Sequence, residues 1–246
     1  MERYEPDTYG DRIADVYDGI HERLLDTEGT VTFLTDLALE AGRTLELGVG
    51  TGRVAIPLAQ KGIEIHGIDS SEAMLGKVRE KPGGEGVQVH LGDFSEVDVD
   101  GPFGLIFVVF NTIFALPSQD AQISCFRTVA ERLAPGGAFV IEAFVPDMQR
   151  YDAYQQRVES GQIALDAVHL EISRVDPVGQ VIHGTRVVLG ENGTRLFPLL
   201  LRYAWPSELD LMARMAGLRL REHWGGWRHE PFGARSDKHV SVYEPA

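Results

Sequence analysis

The sequence predicts an α/β protein built on a parallel sheet covered by helices on both faces, with an antiparallel insertion near its end. Three observations carry this reading. Short apolar runs of strand length alternate with amphipathic stretches of helix length between about residues 44 and 144. A glycine-rich turn in LELGVGTGR, residues 45–53, joins the first such run to the first such helix. After Pro146 the rhythm changes to strand-forming residues divided by turn signals.

The segment Tyr9–Leu25 reads as a helix because Ile13, Val16, Tyr17 and Ile20 recur at helical spacing. A second helix, about Thr30–Glu40, places Val31, Leu34, Leu37 and Ala38 on one face. The core strands are Thr44–Leu47, Glu64–Ile68, Val87–Leu91, Leu105–Phe110 and Ala138–Phe144, with helical stretches such as Val54–Gln60 and Ala121–Leu133 between them. Their near-continuous apolar character suits strands buried on both faces. From about Leu165 to Ala204, turn signals at Asp176-Pro177-Val178-Gly179 and Glu191-Asn192-Gly193 predict a three-stranded antiparallel meander. A helix follows from Ser207, its expected N-cap, to Gly217, its expected C-cap, and two strands close the chain at about Leu218–Trp224 and His239–Tyr243. No repeat or linker divides the sequence. It reads as a single domain, 1–246, with N-terminal helices to residue 40, a core over 41–145, an insertion over 146–205 and a closing segment over 206–246.

Composition narrows the function. The 23 Lys and Arg residues against 37 Asp and Glu give a net charge of −14, which disfavours a polyanion-binding surface and so nucleic acid. Cys125 is the one cysteine, so no internal disulfide or Cys-based metal site is expected, and no clustered His/Cys spacing suggests a metal. It falls in an amphipathic stretch and reads as a small buried hydrophobe. There is no signal-peptide pattern at the N-terminus and no apolar run long enough for a membrane span, so a cytoplasmic location is expected.

The glycine turn is a place where a ligand can approach the backbone closely, with helix N–H groups facing it. Its spacing is G-x-G-x-G rather than the dinucleotide G-x-G-x-x-G. Glu46, two residues before the first glycine, suits a cationic amine and would repel a pyrophosphate. Strand Glu64–Ile68 runs into Asp69, 21 residues after Gly48, where a carboxylate can hold both hydroxyls of a ribose. The next two strands end in Gly92-Asp93-Phe94 and Asn111-Thr112. Polar residues thus recur at C-terminal strand ends, where open α/β sheets bind ligands.

Taken together, "LELGVGTGR", "GIDSSEAML", "LGDF", "FGLIFVVFNTIFAL" and "LAPGGAFVIEAF" resemble the class I S-adenosylmethionine-dependent methyltransferases, over about residues 40–145. The resemblance implies a Rossmann-like, doubly wound, seven-stranded and mostly parallel sheet, with S-adenosyl-L-methionine as cofactor and S-adenosyl-L-homocysteine as product. It implies that Gly48, Gly50 and Gly52 pass under the methionine part, with Glu46 nearby, and that Asp69 holds the ribose. Ser70 and Met74 would flank the adenine, Asp93 would accept from its amino group, and the Phe94 N–H would donate to the ring. Phe110 and Asn111 would line the methyl-transfer side. "YGDRIADVYD" resembles the family's lid helix, with Tyr9 and Tyr17 at the matching positions; simple packing of two aromatics is the alternative. Arg53 would pair with the cofactor carboxylate or stay solvated.

For the acceptor, the segments expected to roof the sheet edge hold Tyr151, His169, His183, Tyr203, Trp205, Trp227, His229 and Arg235. Of these, His229, His183 and Tyr203 are the candidate catalytic residues, and Trp227, Arg235, His169 and Tyr151 the candidate substrate contacts, with Trp227, His229 and Arg235 on a glycine-flanked loop. The order of elements also resembles the nucleotide-amino-sugar N-methyltransferases of natural-product pathways. Those enzymes carry a histidine where this chain has Ala115, which leaves the acceptor open between nitrogen and oxygen. A small-molecule acceptor is expected. A catalytically silent binding or regulatory module, or a dinucleotide oxidoreductase, is the other class. Finally, Phe197, Leu199, Leu201 and Tyr203 alternate on one face of an inserted strand while Leu196 and Leu200 occupy the other, and Pro198 favours an edge. Apolar groups on both faces predict a homodimer.

Overall fold

The computed structural model describes residues 4–21, 26–191 and 193–246. The N-terminal expectation of one continuous helix is corrected: α1 (Thr8–Ile13) and α2 (Tyr17–His21) are separated by a turn. Ile13, Val16, Tyr17 and Ile20 still pack together, so the apolar spacing survives a break that it cannot reveal. The end of the expected helix, 22–25, lies outside the described residues. Helix α3 (Thr27–Ala41) starts earlier than expected, because the Asp26 carboxylate accepts from the Gly29 N–H at 2.9 Å and caps it.

The main sheet comprises β1 (Thr44–Leu47), β2 (Ile65–Asp69), β3 (Val87–Leu91), β4 (Phe103–Val108), β5 (Leu133–Phe144), β10 (Leu218–Trp224) and β11 (Lys238–Pro245). Their order is β10-β11-β5-β4-β1-β2-β3, parallel except for β11, which runs antiparallel to both neighbours. β1 and β4 are buried along their whole length. Helices α3, α4 (Ala55–Gln60) and α5 (Glu72–Glu80) close one face around Leu34, Leu58, Leu75 and Phe107. Helices α6 (Gln119–Arg132) and α7 (Pro206–Met215) close the other around Phe126, Phe139, Met212 and Tyr243. The expected α/β, doubly wound, seven-stranded and mostly parallel architecture is what the chain adopts. Cys125 is buried on the α6 side. Among the described residues, no helix is long and apolar enough to cross a membrane.

The insertion is a separate antiparallel sheet of four strands rather than three: β6 (Gln156–Ile163), β7 (Ala167–Asp176), β8 (Val181–Gly190) and β9 (Gly193–Arg202). In β6 the sequence QRVESGQI carries no apolar alternation, and backbone pairing with β7 defines the strand. β9 is the other edge, where Pro198 is tolerated. Asn192, part of the expected turn, lies outside the described residues. α7 begins at Pro206 with Trp205 as N-cap, not at Ser207, since proline's fixed φ suits the first helical position. Gly217 follows its C-cap with φ +79°.

A buried polar network fastens this second sheet to the first. Arg202, 5% exposed at the end of β9, donates to Gln122 Oε1 of α6 at 2.6 Å and to Glu208 Oε1 of α7 at 2.6 Å. Gln122 Nε2 donates in turn to the carbonyls of Arg202 at 2.8 Å and Ile113 at 3.3 Å. Gln180 Nε2 adds bonds to the Tyr203 carbonyl at 3.0 Å and Glu208 Oε2 at 2.8 Å. The sheet therefore meets the core immediately behind the loop that follows β4.

Candidate active site

The order of strands reverses between β1 and β4: the chain proceeds from β1 outward through β2 and β3, then crosses to β4. Such a switch point leaves a crevice at the C-terminal strand ends. A cavity of about 430 Å³ lies there. Its core wall includes Gly48, Gly50, Asp69, Ser70, Met74 and Phe94. Phe110, Asn111, Thr112 and Ala115 form the side next to β4. Tyr4, Tyr9 and Tyr17 close it from the N-terminal segment, while Glu171, Arg186, Leu199 and Leu201 of the inserted sheet roof it.

The floor is set by the glycine turn. Gly48 has φ +67°, and a Cβ there would sit 2.3 Å from Thr112 Cγ2. Gly50 has φ +55°, and the space where its Cβ would project is open for 4 Å. The carboxylate of Asp69 ties two turns together: Oδ2 accepts from the Gly50 N–H at 2.8 Å, and Oδ1 from the Ser71 N–H at 2.9 Å. Burial raises the Asp69 pKa against these two donors. Ser71 caps α5 by accepting from the Met74 N–H at 3.2 Å, and its hydroxyl donates to Asp11 Oδ1 of α1 at 2.6 Å. The tyrosine-bearing segment is thereby moored to the floor. Burial pushes the Tyr9 hydroxyl up and the Tyr17 hydroxyl up to about 12, so both remain protonated.

Glu46 lies in β1, 2% exposed. Burial lifts its carboxyl to about 8, opposed by nearby Arg53 and the Ala55 N–H. Its Oε2 is buried with no hydrogen-bond partner among the described residues. Arg53 donates to Thr27 Oγ1 at 3.1 Å and stands 5.8 Å over the Phe110 ring, close to the cavity without lining it. Gly52 turns away from the cavity, its Cα facing Ile56 of α4. Asp93 is exposed and accepts from the Ser95 N–H at 2.8 Å, so it too stands outside the cavity wall.

Phe110 and Asn111 both have positive φ, 55° and 64°. Glu142 of β5 holds this strained pair: Oε2 accepts from the Phe110 N–H at 2.9 Å, and its carbonyl accepts from the Asn111 N–H at 3.1 Å. Asn111 Oδ1 completes the arrangement by accepting from the Phe144 N–H at 2.6 Å. Glu142 was not singled out from sequence, because an acid inside a buried strand has no short-range motif.

None of the expected catalytic or substrate residues lines the cavity. Trp227, 4% exposed, donates its indole N–H to Glu142 Oε1 at 2.9 Å and packs edge-on against Phe33. His229 lies between Phe33 and Trp224 in a small recess by α3. The glycine-flanked loop thus folds onto α3 instead of over the cavity, and Arg235 on it is exposed. Tyr203 is buried in the core, with its hydroxyl donating to Met148 Sδ at 3.5 Å, and Tyr151 packs against the same cluster. His183 pairs with Arg174 and Leu200 across β7 and β9, out of phase with Arg186, which lines the cavity. His169 is in phase with Glu171 but one pair of residues beyond the cavity. The strand period of two therefore assigns these residues to positions that residue type alone could not distinguish.

Comparison with known proteins agrees with the geometry. Residues 44–137 match the family model for a methyltransferase domain. The structure of the CcbJ methyltransferase from Streptomyces caelestis is 44% identical and superposes with a TM-score of 0.90, covering 99% of this chain and 100% of that one. The cypemycin N-terminal methyltransferase of a Streptomyces species is 28% identical over 241 residues, 98% of each chain. The dTDP-4-amino-2,3,4,6-tetradeoxy-D-glucose N,N-dimethyltransferase of Saccharopolyspora spinosa is 32% identical over 148 residues, 56% of this chain and 55% of that one. The chain belongs to the class I S-adenosylmethionine-dependent methyltransferases. The residues present fit that cofactor: an unpartnered buried Glu46 oxygen, open space over Gly50, and Asp69 beside apolar Met74 and Phe94.

Asp69 should support the turns even without ligand. Asp69→Ala is expected to lower the stability of the cofactor-free protein by about 2–3 kcal/mol in urea unfolding, as charge-assisted backbone bonds are lost. An unchanged midpoint would show that the two turns hold themselves.

Proposed function

We propose that the enzyme methylates an amine nitrogen of a small-molecule natural-product intermediate. The observation that carries this is the composition of the cavity at the switch point: a cofactor-type floor directly faces a roof that holds a carboxylate, Glu171, beside apolar Leu199 and Leu201. The amino-sugar enzyme is by its name an N,N-dimethyltransferase and the cypemycin enzyme acts by its name at an N-terminus, which supports nitrogen over oxygen. The net charge of −14 supports a small acceptor over nucleic acid, and the composition supports a cytoplasmic location.

The bound cofactor supplies a methyl group on a good leaving group. The protein's work is to align the acceptor, exclude water and leave the nitrogen lone pair free. On this reading Tyr17, Gly48, Gly50, Asp69, Ser70, Met74 and Phe94 hold the cofactor, and Glu46 and Arg53 answer its ammonium and carboxylate. Tyr9, Phe110 and Asn111 bound the channel along which the nitrogen approaches. Glu171, rather than His229, His183 or Tyr203, takes the acceptor's proton; Ala115, which also lines the cavity, offers no base. Incubating the protein with S-adenosyl-L-methionine and small amines should yield products heavier by one methylene, seen by mass spectrometry. Products from alcohols alone would overturn the choice of nitrogen.

The cofactor half has its own test. With a pKa of about 8, Glu46 is mostly protonated at pH 7 before binding. A ligand ammonium favours the carboxylate, so binding releases close to one proton at pH 7. Affinity for S-adenosyl-L-homocysteine should then rise by about tenfold per pH unit from pH 6 to 8 and flatten above 8. Calorimetry in buffers of different ionisation enthalpy measures the released proton, and its persistence in Glu46→Gln would assign it elsewhere.

We also infer a homodimer. One face of β9 is covered within the chain, with Phe197 2% exposed, whereas Leu196, Ile172, Val158 and Leu189 leave an apolar outer face on the inserted sheet, Leu196 being 54% exposed. Light scattering should give about twice the 27.2 kDa chain mass, and the monomer mass would refute the dimer.

A further inference from the structure

Glu171 and Arg186 are direct partners across β7 and β8, and both line the cavity. Glu171 Oε1 accepts from Arg186 Nε at 3.2 Å and also from Nη2. That contact uses one edge of the guanidinium. Its remaining nitrogen, Nη1, is buried with no hydrogen-bond partner among the described residues. A guanidinium is a rigid fork of five donors, and native structures rarely leave a buried donor unmet.

A cross-strand ion pair that served only the sheet would find water on the outer face. This one occupies the inner face, in register with buried Phe197 and next to Leu199 and Leu201. Arg186 keeps 16% of its side chain exposed there while Glu171 stays half exposed, so the cost lies in the guanidinium, whose Nη1 is buried and unmet. Buried donors left unpaired until a ligand arrives are a device for selectivity, because an analogue lacking the matching acceptor leaves them unpaired. Tyr9, whose hydroxyl lies within electrostatic reach of both Arg186 and Glu171, keeps its proton there.

We propose that Arg186 reads an oxygen of the methyl acceptor, so that the substrate class is an amine carrying a carbonyl or carboxylate oxygen a few bonds from the nitrogen. Glu171 clamps one edge of the guanidinium and presents its carboxylate toward the amine, while Arg186 Nη1 donates to the oxygen. Arg186 is then a specificity-determining residue. The inference rests on the N-methylation reading above.

Leucinamide and isoamylamine form a matched pair of probes that differ by the carboxamide. Each is titrated calorimetrically into protein saturated with S-adenosyl-L-homocysteine. Wild type should hold leucinamide at least tenfold more tightly than isoamylamine. In Arg186→Met the preference should fall below twofold, with affinity for S-adenosyl-L-homocysteine unchanged. Arg186→Lys, which keeps the charge and loses the fork, should retain no more than a threefold preference, and it serves if the methionine variant fails to fold. Equal binding by wild type, a preference kept by both variants, or no binding of either amine to the loaded protein overturns the inference and leaves the methyltransferase assignment intact. Failure of S-adenosyl-L-homocysteine to bind would instead count against the cofactor site itself.

Discussion

The site depends on the carboxylate of Asp69. It accepts one backbone N–H from the turn after β1 and another from the turn after β2. The conformation of Gly50, with φ +55°, is thereby fixed against a residue of the neighbouring strand. Everything that faces the cavity from the floor follows from that bridge. Ser71 is positioned to cap α5, and its hydroxyl reaches Asp11 and brings α1 down onto the site. A buried acid is costly unless its oxygens are occupied. Here they are occupied by backbone, which leaves the carboxylate oriented at the cavity wall.

The second half of the site is held by different physics. Among the described residues, the inserted sheet shares no strand pairing with the main sheet. Its position over the cavity comes from the Arg202, Gln122, Glu208 and Gln180 network and from the packing of Val175 and Tyr203 into the core. Gln122 also bonds the Ile113 carbonyl, next to Thr112 and close to Ala115 in the cavity wall. The side wall and the roof are therefore anchored to one side chain. A buried charged network of this kind contributes little to net stability but has one geometry in which all its groups are satisfied. That fits its place: it fixes where Leu199, Leu201, Glu171 and Arg186 stand above the floor.

How legible this was in the sequence depends on the range of the interaction. The positions of the glycine turn, Asp69, Met74 and Phe94 at the cavity were readable because each lies at or shortly after the C-terminal end of a core strand, and a local motif reports local geometry. Asp93 was readable only as a position, since its carboxylate caps the next turn at Ser95 instead of lining the cavity. The break in the N-terminal helix left the apolar spacing intact and so left no trace. β6 was invisible because a solvated edge strand needs no alternation. The roof was misread through residue type: histidines and tryptophans attracted attention, yet Trp227 serves to pair Glu142, and His183 is on the wrong side of a strand. The phase of β7 and β8 carried the missing signal. Val175 and Ile182 mark the inward side, and Glu171 and Arg186 fall on it.

On the side of the cavity next to β4, Phe110, Asn111, Thr112 and Ala115 offer no titratable group. The loop is nevertheless strained, with Phe110 and Asn111 at positive φ held by Glu142 and Phe144. Strain of about 1–3 kcal/mol per residue persists only where surrounding bonds over-determine it. The strained turn sets Phe110 and Asn111, with Thr112 after them, at the cavity wall. The inserted sheet adds Glu171 and Arg186 to the polar groups of the cavity wall, beside Tyr9, Asp69, Ser70 and Thr112. The roof is an insertion, fastened at one end by the Arg202 network and along β9 by Phe197, which packs with Ile13 and Met74, and by Arg195, which pairs with Asp15. Floor and roof are therefore joined both through the loop after β4 and through the N-terminal helix.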